Sequence, residues 1–122
     1  HNTAIGYESL NALTTGLSNT AIGRRSLYSL TSGSSNVAVG GGLTNVTTGS
    51  YNTAIGNGAG NGATGDYNVF IGYQAGYNFT TANPSLAIGY KALWGEYVGA
   101  NGSVGGSANV DEFRMFIGVF FN

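Results

Sequence analysis

A five-residue phrase, Asn2-Thr3-Ala4-Ile5-Gly6, constrains this chain more than any other feature, because the chain repeats it at a nearly fixed interval. It returns as Asn19-Thr20-Ala21-Ile22-Gly23, Asn36-Val37-Ala38-Val39-Gly40 and Asn52-Thr53-Ala54-Ile55-Gly56. Looser copies are Asn68-Val69-Phe70-Ile71-Gly72 and Ser85-Leu86-Ala87-Ile88-Gly89, with a last echo in Arg114-Met115-Phe116-Ile117-Gly118. Successive motif glycines lie 17, 17, 16, 16, 17 and 29 residues apart. One short apolar strand per fixed period is the signature of a solenoid, in which each unit buries its apolar side only by stacking on its neighbours.

Between motifs the chain also repeats. Tyr7-Glu8-Ser9-Leu10 and Thr14-Thr15-Gly16 of the first copy answer to Arg24-Arg25-Ser26-Leu27 and Thr31-Ser32-Gly33 of the second. This pattern predicts two short strands and two Gly- or polar-rich corners per coil, an all-β parallel solenoid of six to seven rungs of 16–17 residues. Glycines every six to ten residues, each costing about 1 kcal/mol inside a helix, argue against a helical repeat. Rungs about 4.8 Å apart would form a short rod about 30 Å long. One isolated rung cannot hold itself, because backbone ordering at about 1–2 kcal/mol per residue exceeds what one Ile and one Leu return on burial.

Strand side chains alternate between faces. One column reads Ile5, Ile22, Val39, Ile55, Ile71, Ile88 and Ile117. The column on the opposite face reads Ala4, Ala21, Ala38, Ala54, Phe70, Ala87 and Phe116. Both are apolar, so both faces of the strand are expected to be covered. The Ile column is assigned to the coil interior and the Ala column to a flat seam between chains, with the reverse assignment as the alternative. Gly6, Gly23, Gly40, Gly56, Gly72 and Gly89 are expected at a turn where only glycine fits. Asn2, Asn19, Asn36, Asn52 and Asn68 are expected to stack as an amide ladder at the corner before each strand.

Three segments follow from the pattern: 1–98 as stacked repeats, 99–112 as a Gly/Ser-rich excursion, and 113–122 as an aromatic terminal strand. Phe113, Phe116, Phe120 and Phe121 make that last strand an expected cap or an assembly tail docking on another subunit. The chain opens in full register at Asn2, which suggests a segment of a longer fibre or a protomer whose ends join others.

The phrase Asn-Thr-Ala-Ile-Gly-Tyr-Glu-Ser-Leu, followed by Thr-Thr-Gly and the next Asn-Thr-Ala-Ile-Gly, resembles the repeats of trimeric autotransporter adhesin heads and of related phage tail-fibre and surface-fibre proteins. The likeness covers residues 2 to about 93. It implies a left-handed β-roll with three chains side by side, joined through a small-residue face and projecting from a cell or virion. Two departures stand out: the rungs are longer than the shortest adhesin-head repeats, and the tail from Phe113 has no counterpart.

Composition narrows the function. Among 122 residues only four are basic and five acidic, so the chain lacks the cationic footprint of a nucleic-acid or anionic-membrane binder. No cysteine is available for disulfides or thiolate metal sites. A nucleophilic triad needs a supported histidine, and the single histidine is His1. Glu8, Asp66, Glu96, Asp111 and Glu112 fall at unrelated rung positions, which argues against a glycosidase pair or a calcium cluster. The glycines of residues 56–60 lack the strand–loop–helix context and lysine of a phosphate loop. Sequons at Asn45, Asn78 and Asn101 are expected by chance in so Asn- and Thr-rich a chain. Tyr7, Tyr73 and Tyr90 share a column and are expected to pack across rungs, with an outward sugar-contacting ladder as the alternative.

The expected function is a non-enzymatic extracellular structural fibre module without cofactor or metal, whose partner is itself as a homotrimer or end-to-end filament. A surface glycan or receptor is a further expected partner, and nucleic acid and membrane are not. The alternative is a solenoid that binds ice or glycan through a repetitive flat face.

Overall fold

The computed structural model describes residues 1–80 and 84–94, together with the backbone of two short strands at Tyr97–Val98 and Val104–Gly105. Six three-residue strands form one parallel sheet: β1 (Thr3–Ile5), β2 (Thr20–Ile22), β3 (Val37–Val39), β4 (Thr53–Ile55), β5 (Val69–Ile71) and β6 (Leu86–Ile88). Each strand pairs with the next in sequence, and the motif keeps its register throughout, so that Ala4, Ala21, Ala38, Ala54, Phe70 and Ala87 align. The fold is a β-solenoid. Residues 97–98 (β7) and 104–105 (β8) pair antiparallel as a separate two-stranded sheet, within and beside the expected excursion.

The expected second strand of each coil is not extended. After the motif glycine the chain runs through overlapping tight turns, in which Ser26 N–H donates to Gly23 O, Tyr28 N–H to Arg25 O and Leu30 N–H to Leu27 O. Alternate residues take positive φ, as in Arg25 (59°) and Leu27 (53°), or Gln74 (53°) in a later coil. These turns still bond rung to rung: Leu10 N–H reaches Ser26 O and Leu27 N–H reaches Gly42 O. The path therefore satisfies its backbone groups without a second sheet.

The strand faces are reversed from the expected assignment. Ala21, Ala38 and Ala54 are wholly buried, whereas Ile5 is 58% and Ile55 42% exposed. From Ala21 to Ala87 this column lines the coil interior, while Ala4 in the first rung is exposed; Ile5, Ile22, Val39, Ile55, Ile71 and Ile88 point outward. The reason lies across the coil. The turn segment sends in two large columns, Leu10, Leu27, Leu43, Leu93 and Leu13, Leu30, Val46, Phe79, which leave room for little more than a methyl beneath the sheet. Where the strand instead carries Phe70, the facing leucines are replaced by Gly60 and Gly76. A Cβ built on either glycine would collide with the Phe70 ring. Phe79 packs edge-on against that ring at 5.8 Å. Core volume is thus conserved by exchange across the coil.

The asparagine ladder forms as expected and is buried from Asn19 to Asn68. Each Oδ1 accepts the backbone N–H of the next asparagine at 2.9–3.0 Å, and the Nδ2 groups of Asn2, Asn19, Asn36 and Asn52 close their coils onto the carbonyls of Gly16, Gly33, Gly49 and Gly65. The ladder stops where coil six has Ser85: Asn68 Oδ1 is buried without a hydrogen-bond partner. The motif glycines also stand as expected. Gly56 has φ of 125°, and a Cβ there would lie 2.6 Å from Gly72 O in the next rung. Close approach and backbone angle both demand glycine.

Candidate functional site

Two columns leave the sheet on its outer side. Thr3, Thr20, Val37, Thr53, Val69 and Leu86 alternate with the Ala column and so share a face with the Ile column. The result is a flat face with no charged side chain, on which Ile5, Ile22, Val37, Ile55, Leu86 and Ile88 are exposed. Six strands about 4.8 Å apart and three residues wide present roughly 300 Å². That is about the size of the largest apolar patch on a typical monomer, and such patches are often functional.

Aromatic side chains form short ladders outside the strands. Tyr73 and Tyr90 stack at 5.6 Å and 13°, Tyr51 and Tyr67 at 4.9 Å and 3°, and Tyr77 and Trp94 at 6.5 Å and 22°. Tyr7 shares the Tyr73 column but is separated from it by Arg24, Gly41 and Asn57 in the intervening rungs, and stands exposed. Cross-rung packing accounts for Tyr73 and Tyr90 and leaves their outer faces in solvent.

The two acids within the described residues are held apart. Glu8 accepts a 2.6 Å hydrogen bond from Arg25 Nε, which keeps its carboxyl below the ordinary range. Asp66 accepts the backbone N–H of Ser50 at a different corner. Neither faces a second carboxylate or a histidine. Among the described residues no cluster of His, Cys, Asp or Glu could hold a metal ion, and no helix is long and apolar enough to cross a membrane. Ile117, Phe113, Phe116, Phe120 and Phe121 lie outside the described residues, as does the sequon at Asn101.

Of the residues singled out from sequence, the structure brings the Ile column and its Thr companions together on one outer face. It removes Ala21, Ala38, Ala54 and Ala87 from any seam. Sequence reasoning missed an open cleft among the post-glycine turns, lined by Arg24, Gly41, Asn57, Gly58, Asn61 and Gln74 among others. Its signal was available: Gly41 and Gly58 are bare positions in columns that elsewhere carry long side chains. Compared with family models, with curated proteins and with solved structures, the chain has no match.

Proposed function

We propose that the chain is a module of a non-enzymatic extracellular structural fibre, the shaft or head of an adhesin, tail fibre or surface filament, in which copies of the chain meet through the outward Ile/Thr face. The observation that carries this reading is that face itself: flat, uncharged, apolar, and continuous over six rungs. A second copy is the occupant it suits. Another copy has the same rung spacing, so its ridges would keep register with these, and a face without charge offers nothing to orient a partner of different chemistry.

Magnitude decides between a fibre and a simple pair. Roughly 300 Å² is well short of the ~800 Å² per partner of a stable pairwise interface. Repetition along a rod, or closure among three chains, supplies the remainder, as the adhesin and tail-fibre resemblance implies.

Light scattering with cryo-electron microscopy tests this. Wild-type protein should be a trimer or a filament, and Ile55→Asp should yield a folded species of lower mass, because the charge then sits in the contact and outside the coil. A wild-type monomer at all accessible concentrations, or an Ile55→Asp protein of undiminished mass, would refute the assembly face. A second reading, ice or glycan binding through the same flat face, is favoured by the outward Thr3, Thr20 and Thr53 and opposed by Val37, Val69 and Leu86, which interrupt that column. Thermal hysteresis of the purified protein separates the ice reading from the fibre.

A further inference from the structure

A cleft of about 300 Å³ opens among the post-glycine turns of coils two to five, lined by Arg24, Arg25, Gly41, Thr44, Asn57, Gly58, Asn61, Gln74 and Tyr77 and by no strand residue. Its position has a specific cause. The column two places after the motif glycine holds Glu8, Arg25, Gln74 and Lys91, all ordinary residues at φ of 53–59°. Gly58 occupies this column at φ 71°, and in the shorter third coil Gly41, one place after its motif glycine, takes φ 81° and adds no side chain beside it. The backbone there accepts side chains in neighbouring rungs, so glycine is not required by conformation. What its presence does is leave a gap, three rung steps or roughly 14 Å long, between Arg25 and Gln74.

The lining has a definite chemistry. Arg25 is engaged by Glu8 and lies over the Tyr28 ring, whereas Arg24 is exposed and makes no ion pair among the described residues. Asn57, Asn61, Gln74 and Thr44 bring amides and a hydroxyl. Asn61 lines the cleft, although its Oδ1 is itself buried and without a hydrogen-bond partner. At one end Tyr77 stacks on Trp94 beside the Tyr73–Tyr90 pair, and Lys91 Nζ sits 5.3–5.4 Å from the Trp94 and Tyr90 rings. No aliphatic residue lines the cleft and most of its surface is polar, which disfavours a lipid or an apolar peptide. One unpaired guanidinium is too little charge for a nucleic acid.

We propose that this cleft binds an acidic oligosaccharide, its carboxylate on Arg24, its hydroxyls on Asn57, Asn61 and Gln74, and a sugar ring against Tyr77. Arginine suits a carboxylate through its planar pair of donors, and side-chain amides both donate to and accept from hydroxyls. Repeated along a fibre, such a site would turn weak single contacts into avid ones. It uses none of the residues of the apolar sheet face and stands or falls separately from assembly.

The test is calorimetric titration of the assembled wild-type protein with a hyaluronan hexasaccharide, using chitohexaose as the neutral counterpart. Saturable binding of the acidic sugar, with the neutral one bound about tenfold more weakly or not at all, is expected. Arg24→Ala should weaken binding about tenfold, the worth of one charge-assisted hydrogen bond. Gly58→Asn should abolish it: a Cβ at Gly58 lies 3.2 Å from Gln74 Cγ and 3.4 Å from Tyr77 Cδ2, so the added side chain stands in the cleft, and Asn tolerates positive φ. Circular dichroism and oligomer mass verify that both variants are folded. No binding of the hexasaccharide, equal binding of chitohexaose, or undiminished binding by folded Arg24→Ala or Gly58→Asn overturns the proposal.

Discussion

Replacing Asn52 by Ala should be among the most damaging polar substitutions in the chain. Asn52 is fully buried in the fourth rung. Its Nδ2 donates to Gly65 O at 3.0 Å, and its Oδ1 accepts both the backbone N–H and the Nδ2 of Asn68 at 2.9 Å. Alanine leaves one carbonyl and two N–H donors of neighbouring segments unpaired, while the Asn52 backbone N–H keeps its bond to Asn36 Oδ1. Each buried unsatisfied group costs about 1–3 kcal/mol. The two Asn68 donors share a single lost acceptor, so one trapped water can relieve both, and the lower half of the summed range applies: about 3–6 kcal/mol. The comparison is Asn2→Ala, which removes the same kind of bonds from an exposed residue of the first rung and should cost under about 1 kcal/mol, because water takes their place. Urea unfolding followed by circular dichroism measures both, at equal protein concentration because association adds to stability. Equal losses for the two variants, or a loss below about 1 kcal/mol for Asn52→Ala, would mean that the ladder is not what closes the rungs.

Ala54→Arg should unfold or precipitate the protein, the opposite of Ile55→Asp, since Ala54 has no exposed surface and the coil has no space for a longer chain; a soluble, folded Ala54→Arg protein would restore the seam assignment of the Ala column. Phe70→Ala should cost about 3–5 kcal/mol in urea unfolding. Adding Gly76→Leu should return part of that loss, because coil two pairs Ala21 with Leu27 in this arrangement; a double variant weaker than the single one would deny the exchange. Glu8 contributes an acid-sensitive increment. Its folded carboxyl is depressed below 4.5, chiefly by the Arg25 hydrogen bond, so the stabilisation is present above pH 4.5 and is lost as pH falls through the folded value. The pair is exposed and screened, so the increment is small. The stability difference between wild type and Glu8→Gln should vanish on acidification, and a difference that grows instead would refute the sign.

Much of this architecture is determined by the sequence alone. The interval between motif glycines sets one rung per 16–17 residues, and in-register stacking follows because only identical positions can share an amide ladder or a glycine contact. Asn19, Asn36 and Asn52 are legible as a ladder, and Gly56 as a position no other residue can hold, because each answers a purely local demand repeated at a fixed spacing. The expected second strand fails for a related reason: Arg25 and Leu27 alternate into positive φ, and nothing in their composition distinguishes extended chain from overlapping turns when rung-to-rung hydrogen bonds form in both.

Which side of the strand faces inward was decided by the tertiary structure. Alternation places Ala54 and Ile55 on opposite faces, and hydrophobicity alone favours burying the larger. The outcome depends instead on how much volume the opposite wall already occupies. Leu27, Leu30, Leu43 and Val46 fill the coil from the turn side, leaving a methyl-sized space under the sheet and forcing isoleucine outward. The cleft among the turns has the same origin, since Gly58 reads from sequence as one more corner glycine. Only when Arg25 and Gln74 are seen in the same column, carrying side chains at the same backbone angle, does the missing side chain become a site.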